Sequence, residues 1–251
     1  ADYNVAVGVY ALSADTKGNK SVAIGRAALA AQNQTSPADT FNTAVGYHAG
    51  VVVSAGIKNT IIGSIAGDAL TDADENTALG YFALGTDTLG SRSTAIGTGA
   101  LALQNLTTAT NAYNTAVGYD AGVSVTTGLR NTFIGSLAGD ATDDGANNTA
   151  AGYLSLSANC GNDNTAVGMQ SLLSATGGLN TALGKDSGYF NTGSSNTFLG
   201  ASTGVYATSA DYSTFIGWRA GQGIDGTRLT GNSNTAVGKD AGLLLQGAAT
   251  N

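Results

Sequence analysis

Few side chains in this sequence of 251 residues are of types that do catalytic chemistry. His48 is the only histidine, so it is the only natural general base near neutral pH. Cys160 is the only cysteine, which excludes an intrachain disulfide framework and a cysteine-rich zinc site. We interpret Cys160 as a small structural thiol. The glycine-rich stretches lack the G-x-x-x-x-G-K-[ST] pattern of a phosphate-binding loop.

Carboxylates cluster in two short stretches, and clustered oxygen ligands are what calcium requires. The stretches lack the G-G-x-G-x-D pattern of calcium-binding β-rolls, however. We favour solvated acidic turns that keep a β-rich surface soluble, and we predict no cofactor, with calcium as the alternative. The carboxylates are Asp68, Asp72, Asp74 and Glu75 in the first stretch and Asp140, Asp143 and Asp144 in the second.

A repeat that returns fourteen times sets the positions of these residues. Its third copy runs from Asn42 to Gly50 and reads N-T-A-V-G-Y-H-A-G, with successive copies 16, 17 or 21 residues apart. A period this short, kept along the whole chain, predicts a solenoid rather than a globular enzyme. The fifth residue of the motif, called the repeat glycine below, is Gly8, Gly25, Gly46, Gly63, Gly80, Gly97, Gly118, Gly135, Gly152, Gly168, Gly184, Gly200, Gly217 and Gly238.

The residues before each repeat glycine predict a short β-strand. The residue one before is apolar in every copy, and the residue three before is β-branched in every copy, as Val45 and Thr43 are before Gly46. Alternation with β-branched residues is a strand signal. The residue four before is Asn or Ser, which predicts stacked side chains that form a hydrogen-bonded ladder. The glycine itself predicts either positive φ or an approach too close for a Cβ atom.

The residues after each repeat glycine predict a second short strand that packs closely. The third residue after the glycine is small, as at Ala49 and Ala66. The fourth alternates in pairs between Leu and Gly along most of the chain. We therefore predict about 14 two-stranded coils in one continuous domain, residues 1–251. Because such coils have a thin core and an apolar flank, we also expect a symmetric oligomer.

The short repeats are themselves grouped into a longer repeat with a period of 72 residues. It defines superrepeats at residues 21–92 and 93–164 and a partial third copy at residues 213–251, each containing one 21-residue spacing and hence one long loop. Long loops on a regular scaffold commonly carry binding functions. The candidate receptor-facing residues in the loops at 30–41, 102–113 and 222–233 are Gln34, Pro37, Asp39, Thr107, Thr110, Asp225 and Arg228.

The charge balance limits the class of partner. The net charge is −7, with ten basic residues spread thinly. Nucleic-acid backbones and anionic membrane surfaces both attract clustered Lys and Arg, so neither is an expected partner. No run of residues approaches the roughly 20 apolar residues of a membrane-spanning helix, so we expect no membrane insertion. The chain opens at Ala1 without an initiator Met or a signal-peptide pattern, which we interpret as a processed or excised piece.

The residues from Ser21 to Ala28, S-V-A-I-G-R-A-A, resemble the head repeats of trimeric autotransporter adhesins of the YadA type, which read S-V-A-I-G-x-x-A. The resemblance extends over nearly the whole chain. It implies a homotrimer of left-handed parallel β-rolls, intertwined or side by side, with the apolar strands facing the threefold axis. The repeats of this chain are longer than those of the family. The family also has a neck, a coiled-coil stalk and a membrane-anchoring barrel, and we expect none of these within residues 1–251. The N-T-A-V-G-Y-x-A-G variant with longer loops is similar to repeats in phage and phage-like tail-fibre proteins.

Two readings from other classes remain open. The stretch from Val45 to Gly50 fits one hexapeptide of the β-helical acyltransferases, in which His48 would be the base, although only one hexapeptide in each coil matches. Threonines aligned from coil to coil are also found in ice-binding solenoids, although here each coil supplies one strand threonine instead of a T-x-T pair. Tyr47, Tyr81, Tyr119, Tyr153 and Trp218 could stack on sugars, but we favour a role in filling gaps between protomers.

These patterns together predict a structural protein that is not an enzyme. We expect the extracellular shaft or head of a phage or phage-like tail fibre, on a virion, that presents loops to a host-surface glycan or protein receptor and joins other fibre or virion components. The alternative is the head of a bacterial trimeric surface adhesin, at the cell surface.

Overall fold

A computed structural model of the chain describes residues 1–247. The fold is an all-β parallel β-solenoid of about fourteen coils, as predicted, and these residues contain no helix. In particular, none of residues 1–247 belongs to a helix that could cross a membrane. The chain divides into two compact units, Ala1–Arg130 and a second that begins at Asn131. We number the coils by their repeat glycines, so coils 1–7 belong to the first unit and coils 8–14 to the second.

Each coil contributes one strand of three residues, placed directly before its repeat glycine, and four shorter strands lie in the first unit. The strands of the first unit are β1 (Val5–Val7), β2 (Gly18–Asn19), β3 (Val22–Ile24), β4 (Ala38–Asp39), β5 (Thr43–Val45), β6 (Thr60–Ile62), β7 (Thr77–Leu79), β8 (Gly90–Ser91), β9 (Thr94–Ile96), β10 (Thr110–Asn111) and β11 (Thr115–Val117). Those of the second unit are β12 (Thr132–Ile134), β13 (Thr149–Ala151), β14 (Thr165–Val167), β15 (Thr181–Leu183), β16 (Thr197–Leu199), β17 (Thr214–Ile216) and β18 (Thr235–Val237).

The three-residue strands pair parallel and in register, so equivalent residues of successive coils lie side by side. Thr43 is paired with Thr60, and Thr60 with Thr77. In the second unit Thr165 is paired with Thr181 in the same way. The middle residue of each strand points inward and is buried in coils 2–14, while its two neighbours point to the other face of the sheet. This alternation matches the period of two read from the sequence.

All fourteen repeat glycines have positive φ, and a carbonyl oxygen or carbon of the next coil closely approaches the twelve repeat glycines of coils 1–6 and 8–13. Gly63 has a φ of +137°, and a Cβ atom added to it would lie 2.3 Å from the carbonyl oxygen of Gly80 in the next coil. The same positive φ and the same close approach recur at Gly168 in the second unit. No other residue accepts both constraints, which explains why this position never changes.

The segment after each repeat glycine differs from the prediction, because within residues 1–247 no strand forms in the nine residues that follow a repeat glycine. A series of turns takes its place. In coil 3 the residues two and four past the glycine, His48 and Gly50, have φ of +55° and +57°, which is incompatible with an extended strand. The turns still bond to neighbouring coils: the N–H of His48 donates to the carbonyl of Arg26, and the N–H of Gly50 to that of Ala66, both at 2.9 Å.

Short second strands do occur in the first unit. Each lies two to four residues before the Asn or Ser that begins the next copy of the motif, and two of them, β4 and β10, belong to long loops. Strand β2 pairs with β4, and β8 pairs with β10, each over two residues. They connect the long loops at 30–41 and 102–113 to the coil before each loop.

The asparagines four residues before the glycines form a buried ladder, as predicted, although most of its bonds run to backbone. The N–H of Asn59 donates to Oδ1 of Asn42, and the N–H of Asn76 donates to Oδ1 of Asn59, both at 2.9 Å. Nδ2 of Asn59 donates to the carbonyl of Ala73 at 2.7 Å. The same pattern recurs at Asn180 in the second unit. Each amide thereby satisfies two buried backbone groups of the next coil.

Core volume explains the alternation of Leu and Gly four residues past the glycine. Where the middle strand residue is Ala, the later position is either a buried Leu, as Leu84 is in the coil of Ala78, or glycine, as in coils 3, 7, 11 and 14. Where it is Phe, as at Phe215, the later position is glycine, and a Cβ atom added to Gly221 would lie 2.5 Å from the Phe215 ring. A large middle residue is thus never combined with Leu at the later position. Where both residues are small, as at Ala44 and Gly50, a neighbouring coil supplies the volume: a Cβ atom added to Gly50 would lie 2.8 Å from Cδ1 of Ile61.

Candidate functional surfaces

The first long loop presents two of its three predicted residues to solvent. Pro37 and Asp39 are exposed, and Gln34 is half-buried. Asp39 forms an ion pair with Lys20 at 2.6 Å, and Nε2 of Gln34 donates to the carbonyl of Ala55 at 2.8 Å. Gln34 and Asp39 therefore fasten the loop to neighbouring coils, while Pro37 is presented outward.

The second long loop presents Thr107, which is exposed, and Thr110, which is half-buried in strand β10. The N–H of Thr110 donates to the carbonyl of Leu89 at the long distance of 3.5 Å. Its hydroxyl lies 3.3 Å from that of Thr108. Thr110 is thus partly occupied in holding the loop, and Thr107 is the more accessible of the two.

A buried polar cluster anchors the second long loop. Gln104 is fully buried; its Nε2 donates to Asp87, and its Oε1 accepts a bond from Nδ2 of Asn114 at 2.8 Å. Burial raises the pKa of the Asp87 carboxyl, an effect partly offset by the hydrogen bond from Gln104. The 72-residue shift relates this cluster to an equivalent one in the first loop. Its members are Asp15, Ser21, Gln32 and Asn42.

The third long loop is built differently, because Ile224 stands where the first two loops have the anchoring glutamine. Asp225 and Arg228 are both exposed. The guanidinium of Arg228 lies over the ring of Phe190, with Cζ 4.9 Å from the ring centroid. The N–H of Leu229 donates to the carbonyl of Tyr206 at 2.9 Å and holds the loop against coil 12.

The seven predicted residues therefore occupy three separate loops and do not converge on one site. Gln34, Pro37 and Asp39 share one loop, and Thr107 and Thr110 share another. Among the seven, only Arg228 lies beside a cluster of aromatic side chains. We did not predict this cluster from the sequence, although the sequence contains a pattern that indicates it. Only coils 11 and 12 have aromatic residues five or six positions past the repeat glycine: Tyr189, Phe190 and Tyr206.

A second candidate surface is the face of the sheet opposite the core, which we call the outer face. It consists of the residues three and one before each repeat glycine. All of them are half-buried or exposed, and none is charged in any of the fourteen coils. The aliphatic members of this face with the greatest exposure, between 39% and 64%, are Val5, Val7, Ile24, Leu79, Ile134, Leu183, Leu199 and Val237. The sequence predicted an apolar flank, and one chain by itself covers only the inner face of the sheet.

The aromatic residues one past the repeat glycine border the outer face. Tyr47, Tyr81 and Trp218 are between 46% and 57% exposed. Arg219 lies over the Trp218 ring, with Cζ 4.6 Å from the ring centroid, and Lys239 lies at 5.1 Å. These rings enlarge the apolar surface that a single chain leaves open to water.

His48 is occupied by its neighbours. Its ring stacks on Tyr47, with centroids 4.0 Å apart and planes 5° from parallel. Its Nε2 lies 2.9 Å from Nη1 of Arg26. Because a guanidinium can only donate, Nε2 accepts this bond, and its lone pair is not free to take a proton from a substrate. This geometry argues against His48 as a general base.

Cys160 is buried, with 3% of its surface exposed. Its Sγ lies 3.5 Å from Oγ1 of Thr142. Burial raises the pKa of the Cys160 thiol, which keeps it protonated and poorly nucleophilic. The geometry is that of a structural thiol.

The acidic stretch at 68–75 is used to connect coils. Glu75 pairs with Arg92 at 2.9 Å and with Lys58 at 3.3 Å. Asp72 accepts a bond from the hydroxyl of Ser54 at 2.8 Å. Within residues 1–247, no group of three or more His, Cys, Asp or Glu side chains is placed to hold a metal ion.

No protein-family model matches this chain, and no curated protein matches it at a significant level of similarity. Its function must therefore be inferred from the surfaces themselves and from the repeat.

Proposed function

We propose that this chain is one subunit of a homotrimeric, non-enzymatic fibre protein. It would form the shaft or head of a phage or phage-like tail fibre, outside the cell, and would present its loops to a host surface. The observation that carries the proposal is the outer face of the sheet. In each unit, seven coils expose aligned columns of threonine and aliphatic residues with no charge among them.

A second copy of this chain is the occupant that suits the outer face best. Exposed apolar surface of this extent is unfavourable in water and is characteristic of interaction sites. The columns repeat at one interval, so identical columns on another copy have matching spacing. Because the columns carry no charge, two copies of a chain with net charge −7 can bring these faces together without direct repulsion. The resemblance to YadA-type head repeats supports three copies instead of two.

Attachment by such a trimer would be multivalent. Each long loop would be presented three times around one axis, so three weak contacts with a host glycan or protein would combine through avidity. The loops carry the exposed residues Pro37, Thr107 and Asp225, which are free to meet a receptor. The fibre would join other fibre or virion components at its ends.

The head of a bacterial trimeric adhesin is the alternative within the same class. The two proposals share the trimer and the loops and differ in what the full gene encodes beside this segment. A coiled-coil stalk and a membrane-anchoring barrel would select the adhesin. A chaperone domain or a baseplate-binding segment would select the fibre.

Charges placed on the outer face test the proposal. Leu183 and Leu199 are paired in neighbouring strands and are 46% and 41% exposed, so Leu183→Glu with Leu199→Glu would set six carboxylates around the axis of a trimer. We expect this variant to be monomeric by sedimentation. Val52→Glu is the control, since Val52 is 38% exposed but lies in a turn segment outside both the outer face and the long loops.

Surface attachment is then compared between these proteins, using fluorescently labelled chains and a panel of bacterial cells. We expect the double variant to bind on the order of 100-fold more weakly than the parent, because avidity is lost, and the control to bind as the parent does. Equal attachment by the monomeric variant would reject multivalency. A monomeric parent chain would reject the trimer.

Ice binding is a second candidate, favoured by one specific observation. The strand threonines are half-buried or exposed and lie side by side in register, as Thr165 and Thr181 do. A regular array of hydroxyl and methyl groups on a flat face could order water. Because a trimer would bury this same face, the two functions exclude each other. Thermal hysteresis in solutions of the chain would support ice binding, and its absence at high concentration would remove it.

A further inference from the structure

We propose that coils 10–13 form a binding site for a neutral pyranose sugar. This inference rests on the proposed attachment function. It adds the chemical class of the receptor and the position on the chain at which the receptor would bind. The site is a cavity of about 290 Å³ in the second unit, open to solvent, in the turn segments of four consecutive coils.

One wall of the cavity is aromatic. Phe190 and Tyr206 stack with centroids 5.6 Å apart and planes 20° from parallel. Tyr189 meets Phe190 edge-on at 4.5 Å. All three side chains are half-buried, so part of each ring faces the cavity. Arg228 covers Phe190 from the third long loop, with Cζ 4.9 Å from the ring centroid, and holds the cluster in place.

The other lining groups are polar and arranged in a row. Gln170, Asp186 and Ser202 each lie two residues past the repeat glycine in coils 10, 11 and 12. Gln222 joins them from coil 13. Oδ1 of Asp186 is buried and has no hydrogen-bond partner within the part of the chain that the structure describes. The row offers amide donors, amide and carboxylate acceptors and one hydroxyl within a short distance.

The aromatic wall is not a requirement of the fold. The residues five and six past the repeat glycine elsewhere are chiefly Ala, Ser, Val, Leu and Asp, and none is aromatic outside coils 11 and 12. Those coils close without such rings. Three large rings that remain partly exposed gain less from burial than fully buried core residues do, so a packing role accounts for them incompletely.

The chemistry of the cavity matches a pyranose. A sugar ring has C–H groups on its faces, which pack on aromatic rings, and hydroxyls around its edge, which need hydrogen-bond partners. A cavity of about 290 Å³ lies at the lower end of the roughly 300–1,000 Å³ typical of ligand sites, which suits one sugar unit. The lining contains one carboxylate, Asp186, whose Oδ2 lies 3.7 Å from Nζ of Lys185, and it contains no cationic side chain that would attract an acidic sugar, so the expected ligand is neutral.

Saturation-transfer NMR on the full chain tests the assignment, with the methyl glycosides of glucose, galactose, mannose, N-acetylglucosamine and N-acetylneuraminic acid as probes. We expect saturable binding of at least one neutral glycoside, with a Kd in the range of about 1–10 mM. Tyr206→Ala should weaken it about tenfold or more. Tyr206→Phe, which keeps the ring, should change it less than Tyr206→Ala does. Tyr153→Ala, at an exposed tyrosine of the same unit outside the cavity, should leave it unchanged.

Several results would overturn the site. They are no saturable binding of any neutral glycoside, binding of the acidic glycoside alone, and equal losses in Tyr206→Ala and Tyr153→Ala. If Tyr206→Ala fails to fold by its melting curve, Gln222→Ala takes its place, with the same expected direction. The native mass of the same sample separates this failure from failure of the proposed function. A trimer that binds no sugar rejects only the cavity, and a monomer that binds sugar rejects only the trimer.

Discussion

At the scale of single residues, the repeat glycine and the buried asparagine carry the fold. The glycine allows successive coils to approach until the backbone of one lies against the backbone of the next. The asparagine satisfies the buried N–H and carbonyl groups that this approach creates. Both roles were predictable from the sequence, because glycine and asparagine are the residues whose local chemistry suits positive φ and backbone bonding. The aromatic wall of the cavity was not predicted. It depends on three residues in two coils, and these do not change the sequence pattern shared by the fourteen repeats.

The contact between coils at the repeat glycine gives the first prediction. Gly63→Ala should destabilise the chain by roughly 3 kcal/mol or more, because a Cβ atom would lie 2.3 Å from the Gly80 oxygen and the residue also has positive φ. Gly226→Ala is the control: Gly226 also has positive φ, +86°, but a Cβ atom there meets nothing within 4 Å. We expect about 1 kcal/mol for the control. Urea titrations compare the two, and equal losses would show that the close approach is not the constraint.

The buried carboxyl of Asp87 gives a prediction on pH. Burial raises the pKa of Asp87 in the folded chain above its ordinary value of 3.8, so the folded state holds this proton more tightly than the unfolded state. The protonated Asp87 carboxyl therefore makes its whole contribution to the free energy of unfolding below pH 3.8, and this contribution is lost as the pH rises through the raised pKa. We expect the melting temperature of the parent, relative to Asp87→Asn, to fall over this pH range.

The exposed Glu75 provides a control of opposite sign. A hydrogen bond from Arg92 is the main reason that the pKa of Glu75 is lowered from its ordinary value of 4.5. Its stabilisation is present above that value and is lost as pH falls through the lowered pKa. The parent should therefore lose its advantage over Glu75→Gln as the solution becomes more acidic. A parent-to-variant difference for Asp87→Asn that stays constant with pH would contradict the account of the buried cluster.

At the scale of elements, each coil is a strand, a glycine and a turn segment that share one small core. The sequence predicted the strands and their in-register stacking, because the period of two and the β-branched residues are strong signals. It did not predict the turn segment. A column of residues such as His48, Ile65 and Phe82 adopts positive φ although none is glycine or asparagine, and single-residue propensities do not anticipate this. Bonds between neighbouring coils hold these residues in that conformation.

The absence of any coil that combines a large middle residue with Leu gives a prediction on pairs of positions. Phe215→Ala alone should cost about 3–5 kcal/mol through the cavity that it leaves. Gly221→Leu alone should also destabilise, because the new side chain would collide with the Phe215 ring. The double variant should recover at least half of the summed loss. It recreates the Ala and Leu pair found in coil 5, where Leu84 has a φ of +51°, close to the +56° of Gly221.

A double-mutant cycle by urea titration measures this coupling. A coupling free energy near zero would mean that the two positions do not share space. The Leu and Gly alternation along the chain would then need another explanation.

At the scale of the whole molecule, the chain contains only 11% charged residues, and its core side chains are mostly small. A thin core stabilises a single chain only modestly, since stabilisation scales with the apolar area buried. The outer face is apolar area that a single chain leaves uncovered. The sequence predicted an apolar flank from the uncharged strand positions, but which partner covers it depends on matching surfaces, and one sequence does not contain that information.

The most direct test is the native mass of the unmodified chain at low micromolar concentration. We predict a species of three 24.7 kDa chains, about 74 kDa, because the outer faces of three copies would cover one another. A clean monomer would contradict the account. The outer face would then be stable in water, the resemblance to trimeric head repeats would not extend to assembly, and ice binding by a single-chain solenoid would become the leading explanation.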